Sequence, residues 1–157
     1  KATSSNHRVE AWLFAKLYFI WDEIFSDIPQ YNDVKIVWGR KARNRLGAIT
    51  RDLETKTTII TINSLFKDDM IPDFVVIGTI AHELAHYAHG FHSPLAKKYQ
   101  TPHAGGIVTR ELKSRGLEKI IKDQKKWLKE NWENYLKEKY PRKRRLRRRK
   151  RVILRWI

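Results

Sequence analysis

The stretch PDFVVIGTIAHELAHYAHG, residues 72–90, decides how this chain folds. Pro72 suits the first turn of a helix, where its missing N–H costs little, and Gly90 suits the stop at the other end. Apolar residues cover most sides of the segment between them. Because a helix that is apolar nearly all round belongs inside a protein, we predict a buried helix that runs from Pro72 to about His89.

Polar residues interrupt this apolar helix as the pentapeptide His82-Glu83-Leu84-Ala85-His86. Residues four apart lie on one face of a helix, so both imidazoles can reach one metal ion. Glu83 lies beside them, where a carboxylate can take a proton from a metal-bound water and pass it to a leaving amine. This spacing is typical of zinc hydrolases, above all proteases. We therefore predict Zn²⁺ as cofactor, His82 and His86 as ligands, and Glu83 as the catalytic base.

A catalytic zinc site uses three protein ligands and leaves one position for water, so a further ligand is required. The chain has no cysteine, which restricts the choice to histidine and the carboxylates. Four candidates lie downstream, namely His89, His92, His103 and Glu111. His89 is on the same helix and is expected to lie beside the site or at the surface, and Glu111 is expected to pair with a nearby Arg or Lys. The residue pattern does not choose between His92 and His103.

The rest of the chain predicts a single α+β domain over residues 5–140. Apolar residues recur at helical spacing over 8–25, with Ser5 or Asn6 as a possible cap. β-branched and aromatic residues predict three short strands, at 34–38, 46–51 and 57–62. Thr101 and Pro102 predict a helix start that places His103 in the first turn, and a long amphipathic helix follows over 117–140.

Peptidases of this kind bind their substrate as an added strand on a sheet edge, and we expect the third strand, 57–62, to line the cleft. Stabilisation of the oxyanion is also needed, and Tyr87, Tyr99 and His89 are the candidates. Trp38 is expected to pack on the sheet rather than to stack on a base.

The C-terminal tail, residues 141–157, is strongly basic. Its positions 142–155 hold ten basic side chains and no acid, and these account for all but +6 of the net charge of +16. Such a block favours a polyanion, so we predict nucleic-acid binding without sequence specificity through these residues. The predicted contacts are Arg142, Lys143, Arg144, Arg145, Arg147, Arg148, Arg149, Lys150 and Arg151. The apolar end, residues 152–157, can instead dock on the domain, on a partner or on a membrane interface.

No stretch of the chain approaches the roughly 18–20 apolar residues of a membrane span, and the start has no signal-peptide pattern. The longest apolar run, Ile71 to Ala81, is interrupted by Pro72 and Asp73. The lack of cysteine fits a reducing compartment. We therefore expect a cytoplasmic protein without a transmembrane segment.

Three segments resemble the SprT-like zinc metalloproteases: WGRKARNRLG at 38–47, IITINS at 59–64 and IAHELAH at 80–86. The closing element of that family, a histidine at the start of a following helix, is similar to PHAGG at 102–106. The resemblance implies a small zincin-like domain, peptide hydrolysis, His103 as the third ligand, and substrates that are proteins crosslinked to DNA. The related WLM-type proteases imply His92 instead. The helix-start context at 102–106 matches the SprT-like pattern better, so His103 is the predicted third ligand. A nucleic-acid-binding module with a structural or vestigial metal is the alternative function.

Overall fold

The computed structural model describes residues 7–143, which form an α+β fold with one small sheet. The helices are α1 (Glu10–Ile24), α2 (Asp73–Ala88), α3 (Ile107–Ser114), α4 (Glu118–Trp127) and α5 (Glu133–Lys139). The strands are β1 (Val34–Trp38), β2 (Gly47–Arg51) and β3 (Thr58–Ile62). The predicted fold class, with an N-terminal helix, three strands and C-terminal helices, is confirmed. Ser5 and Asn6 fall outside the described residues, and α1 begins after Val9 without a side-chain cap.

The sheet has the order β1-β3-β2, with β1 parallel and β2 antiparallel to β3. The third strand was expected to line the cleft where a substrate strand adds to the sheet. That expectation is wrong, because both edges of β3 are hydrogen-bonded to neighbouring strands. Its buried residues Thr58, Ile60 and Ile62 explain why it takes the central position. Within residues 7–143, β2 pairs only with β3, and β2 is the edge strand that packs on α2.

Helix α2 forms the centre of the core, as predicted. It packs against α1, α3, α4, β2 and β3, and all but four of its 16 residues are buried. The chain leaves the helix at Gly90, where φ is +83°. Such burial on every side is what the nearly continuous apolar sequence requires, since each exposed methylene would cost about 0.8 kcal/mol.

The segment before α3 differs from the prediction. His103 does not lie in the first turn of a helix; it precedes a 3-10 turn, Ala104–Gly106, and α3 begins only at Ile107. Gly105 and Gly106 have φ values of +59° and +69°, which a right-handed helix cannot contain. The pair of glycines thus delays the start of the helix and leaves His103 outside it.

The predicted long C-terminal helix is present with one irregularity. Residues Leu128–Trp132 form a π-helical segment that joins α4 to α5 without a break, and Tyr140 ends the helix before Pro141. None of the helices between residues 7 and 143 combines the length and the apolar character needed to cross a bilayer.

Arg8 fixes the segment that leads into α2. Its side chain is buried and donates hydrogen bonds to three carbonyls and one carboxylate: Phe66 at 2.9 Å, Asp68 at 3.0 Å, Ile71 at 2.6 Å and the Asp73 side chain at 2.6 Å. One guanidinium therefore satisfies four acceptors and sets where α2 begins.

Replacing this side chain, as Arg8→Ala, should lower the free energy of unfolding by about 2–3 kcal/mol, because buried acceptors lose their donors. Urea denaturation followed by tryptophan fluorescence measures the change. Arg40→Ala is the matched control, since Arg40 is exposed, and its effect should stay within about 0.5 kcal/mol. Equal losses in the two variants would contradict the anchoring role.

Candidate metal centre

Three histidine side chains converge beside α2. The Nε2 atom of His86 lies 3.1 Å from Nε2 of His82 and 3.1 Å from Nε2 of His103, and the remaining pair is 3.4 Å apart. A tetrahedral ion with zinc–nitrogen distances of about 2.0–2.1 Å separates its nitrogen ligands by about 3.3–3.4 Å. The three nitrogens are therefore spaced to hold one metal ion.

Hydrogen bonding among the rings does not account for this cluster. A neutral imidazole carries one N–H, so each Nε2 is either a donor or an acceptor. In a triangle of three such atoms, at least one pair must be donor facing donor or acceptor facing acceptor. A cation at the centre removes the conflict, because all three lone pairs then point to it.

Burial favours the neutral form of the two helix histidines. Together with the charges of neighbouring histidines, it lowers the pKa of His82 to about 4 and that of His86 to about 3. Both rings are thus neutral at pH 7, which is the state that binds a metal ion. His86 Nδ1 is buried without a hydrogen-bond partner, and the ring is held instead by perpendicular packing on Phe91.

Glu83 lies next to the cluster in a cavity of about 260 Å³. Its side chain is buried, and burial raises the pKa of Glu83 to about 7, while the positive charge of Arg45 opposes that rise. The cavity is lined by residues of α2, of the loop before β2, of β2 itself and of α4: Thr79, His82 and Glu83, then Asn44, Arg45 and Leu46, then Gly47, and finally Gln124. A carboxylate that exchanges a proton near neutral pH therefore faces the same cleft as His82.

The other candidates for the third ligand lie elsewhere. His92 is exposed, and its carbonyl accepts a hydrogen bond of 2.7 Å from Thr58 Oγ1. Glu111 accepts from Arg115 at 3.1 and 3.3 Å, as expected for a carboxylate paired with a nearby Arg. His89 is buried rather than at the surface, and its Nε2 lies 3.7 Å from Glu111.

None of the three predicted oxyanion stabilisers lines the cavity beside Glu83. The Tyr87 hydroxyl donates to Asn32 Oδ1 at 2.6 Å, and its ring packs edge-on against Trp21 in the core. Tyr99 packs against His89 at a ring distance of 4.9 Å.

Two side chains of the cavity were not assigned to it from the sequence. Arg45 lies within the segment at 38–47 that carries part of the resemblance, and Gln124 was not singled out. Gln124 lies on the apolar face of α4, three residues after Ile121 and four before Leu128, and a polar residue at such a position is the signal that could have identified it. Its Nε2 donates to the Val75 carbonyl at 2.9 Å and to Thr79 Oγ1 at 3.1 Å.

The described residues include only the first two of the predicted nucleic-acid contacts. Arg142 and Lys143 are exposed, and Arg142 borders the same surface cleft as Arg43. Arg144, Arg145, Arg147, Arg148, Arg149, Lys150 and Arg151 lie outside the described residues. Trp38 packs against the hydrophobic core, as expected.

Comparisons with family models, with curated proteins and with solved structures found no match to this chain. The resemblance to SprT-like proteases therefore remains a prediction that rests on the sequence segments quoted above.

Replacing His103 should distinguish the two candidate third ligands. His103→Ala should weaken Zn²⁺ binding by more than about a hundredfold, because losing a ligand costs more than losing a residue that only orients one. His92→Ala is the matched control and should bind as the wild type does. Competition with a chromophoric chelator measures both affinities. A loss in His92→Ala with full affinity in His103→Ala would contradict the geometry.

Proposed function

We propose that this protein is a zinc-dependent metallopeptidase. The observation that carries the proposal is the triangle of Nε2 atoms from His82, His86 and His103, with the buried carboxylate of Glu83 beside it. Zn²⁺ bound there would polarise the scissile carbonyl and supply a water whose pKa is lowered to about 7.

The number of ligands supports catalysis over a structural role. A structural zinc is closed by four protein ligands, whereas a catalytic zinc has three and an open position. Among residues 7–143 the cluster contains three ligand side chains, and His92, the fourth that a closed site would need, is not one of them. His103 is exposed, which leaves the cluster accessible from solvent.

Glu83 would act as the general base and then as the acid. It follows His82 directly on α2 and lines the cavity that His82 also lines, so its carboxylate can accept a proton from a water in the cleft. A pKa close to neutrality suits both halves of that task, because the group must take the proton and later release it to the leaving amine.

The edge strand β2 would hold the peptide. Within the described residues its outer edge has no strand partner, and its first residue, Gly47, lines the cavity beside Glu83. A substrate that adds as a further strand there would run past the cluster, with main-chain hydrogen bonds giving affinity and side-chain cavities giving selectivity.

Replacing the base tests the chemistry. Glu83→Gln should lower kcat at least about a thousandfold, because the amide cannot take the proton, while zinc is retained. Cleavage of casein by the zinc-loaded protein, with and without a chelator, measures the activity, and atomic absorption measures the metal. Glu138→Gln, an exposed acid on α5, is the matched control. Undiminished cleavage by Glu83→Gln would end this mechanism.

We propose further that the substrates are proteins associated with DNA, held near the enzyme through the basic tail. Two features support this. The chain carries a net charge of +16, most of it at 142–155, and the exposed start of this segment borders the basic loop that leads to Arg45. The similarity to SprT-like proteases points to the same substrate class.

Binding through the tail should depend steeply on salt. Binding of fluorescein-labelled single-stranded DNA should fall by about a thousandfold between 50 and 200 mM salt, because each phosphate contact releases counterions. Replacing Arg144, Arg145, Arg147, Arg148 and Arg149 by Gln should remove most of the binding and flatten the salt dependence. The control replaces five exposed lysines by Gln, giving the same net charge: Lys119, Lys125, Lys126, Lys129 and Lys139. Equal losses in both variants, or binding to anionic vesicles alone, would contradict this part of the proposal.

A further inference from the structure

The cavity beside Glu83 is suited to a substrate side chain. It holds about 260 Å³, which is smaller than the roughly 300–1,000 Å³ of sites for drug-sized ligands. It opens between β2, where the peptide would lie, and the turn of α2 that carries Thr79, His82 and Glu83. A peptide whose scissile bond faces Glu83 would direct the side chain next to that bond into this space.

Arg45 gives the cavity an available positive charge. Its side chain is exposed and lines the cavity. Among residues 7–143 its guanidinium forms no hydrogen bond or ion pair. Arg43 and Arg51, by contrast, donate to the carbonyls of Tyr140 and Ser93. Of these three arginines, Arg45 is thus the one whose donors remain for a ligand.

The backbone around Arg45 is fixed by a buried asparagine. Asn63 Nδ2 donates to the carbonyls of Ala42 at 2.6 Å and Arg45 at 2.9 Å, and its Oδ1 accepts from the Ala42 N–H at 3.1 Å. The Asn63 N–H also donates to the Leu46 carbonyl at 2.9 Å. The loop is therefore held in one position before any substrate arrives, which reduces the entropy lost on binding.

The other residues of the cavity limit which substrate charge it can bind. Glu83 is buried and is engaged by the reaction, so it is not available to pair with a basic substrate side chain. Gln124 also lines the cavity, and its amide N–H groups are already donated to Val75 and Thr79. The remaining charged group that can pair with a substrate is Arg45.

We propose that this cavity is a specificity site that selects peptides with an acidic side chain next to the scissile bond, through the guanidinium of Arg45. This inference rests on the proposed peptidase function and names the residue class that the same site prefers. Arg45 is a specificity residue here, and it takes no part in the bond-breaking step.

A set of four fluorogenic peptides tests the proposal. They differ only at the residue next to the cleaved bond, which is Glu, Gln, Leu or Lys, and the zinc-loaded full chain is assayed for kcat/KM. The wild type should prefer Glu over Leu by about five- to tenfold, with Gln between them, since a partly exposed ion pair contributes modestly. Raising the salt concentration should reduce the preference.

Two variants at Arg45 and one control variant test whether Arg45 is the source of the preference for Glu. In Arg45→Gln the ratio of Glu to Leu should fall to about one, and Arg45→Glu should favour the Lys peptide. Arg40→Gln, an exposed arginine in the same loop that does not line this cavity, should keep the wild-type ratio. Fluorescence anisotropy with the zinc-loaded Glu83→Gln protein should show the same order of affinities without turnover.

The outcomes separate this inference from the function on which it rests. A wild type that cleaves all four peptides equally overturns the specificity site and leaves the peptidase intact. An unchanged ratio in Arg45→Gln, or a uniform fall in kcat for all four peptides, overturns the role given to Arg45. A wild type that binds zinc and cleaves none of the peptides, nor casein, overturns the peptidase proposal itself.

Discussion

The close approach of β2 to α2 is the constraint on which the site depends. A Cβ atom at Gly47 would lie 2.8 Å from Thr79 Cγ2, 3.0 Å from the Thr61 carbonyl oxygen and 3.3 Å from Glu83 Oε1. Only glycine lets the edge strand lie this near the helix. Helix α2 can thus be packed on nearly every side and still leave a narrow cleft in which Glu83 is mostly desolvated and His82 remains reachable. The raised pKa of Glu83 and the small cavity are both consequences of that distance.

Much of the fold could be predicted because its signals are local. The nearly continuous apolar stretch before His82 is enough to predict a buried helix, and alternating β-branched residues are enough to locate the three strands. The order of the strands could not be predicted, because β1 and β3 pair across 20 or more positions in sequence and no single segment records that pairing. The position of β3 between its neighbours follows from tertiary packing, as does the role of β2 as the edge.

The candidate site likewise contains residues that could be predicted from the sequence and residues that could not. The helical period alone brings His82 and His86 together, with Glu83 beside them, so these three could be named from the sequence. His103 is 17 residues beyond His86, and its approach depends on how the loop folds and on the left-handed glycines at 105 and 106. Arg45 and Gln124 come from two further elements that meet only in the folded chain, and for this reason the sequence did not place them beside Glu83.

The position of His103 ahead of α3 has a consequence for how the protein would respond to a metal ion. Two of the candidate ligands are on a packed helix, whereas the third comes from an exposed stretch that adjoins two glycines. A metal ion coordinated by all three histidines would link the exposed stretch to α2 and close a long loop, much as a disulfide bond does. Removal of the ion by a chelator would free His103 and leave His82 and His86 in place on α2. The segment around residue 103 would then become more mobile, while the core would stay packed. Metal supply would in this way govern local resistance to digestion as well as the proposed catalysis.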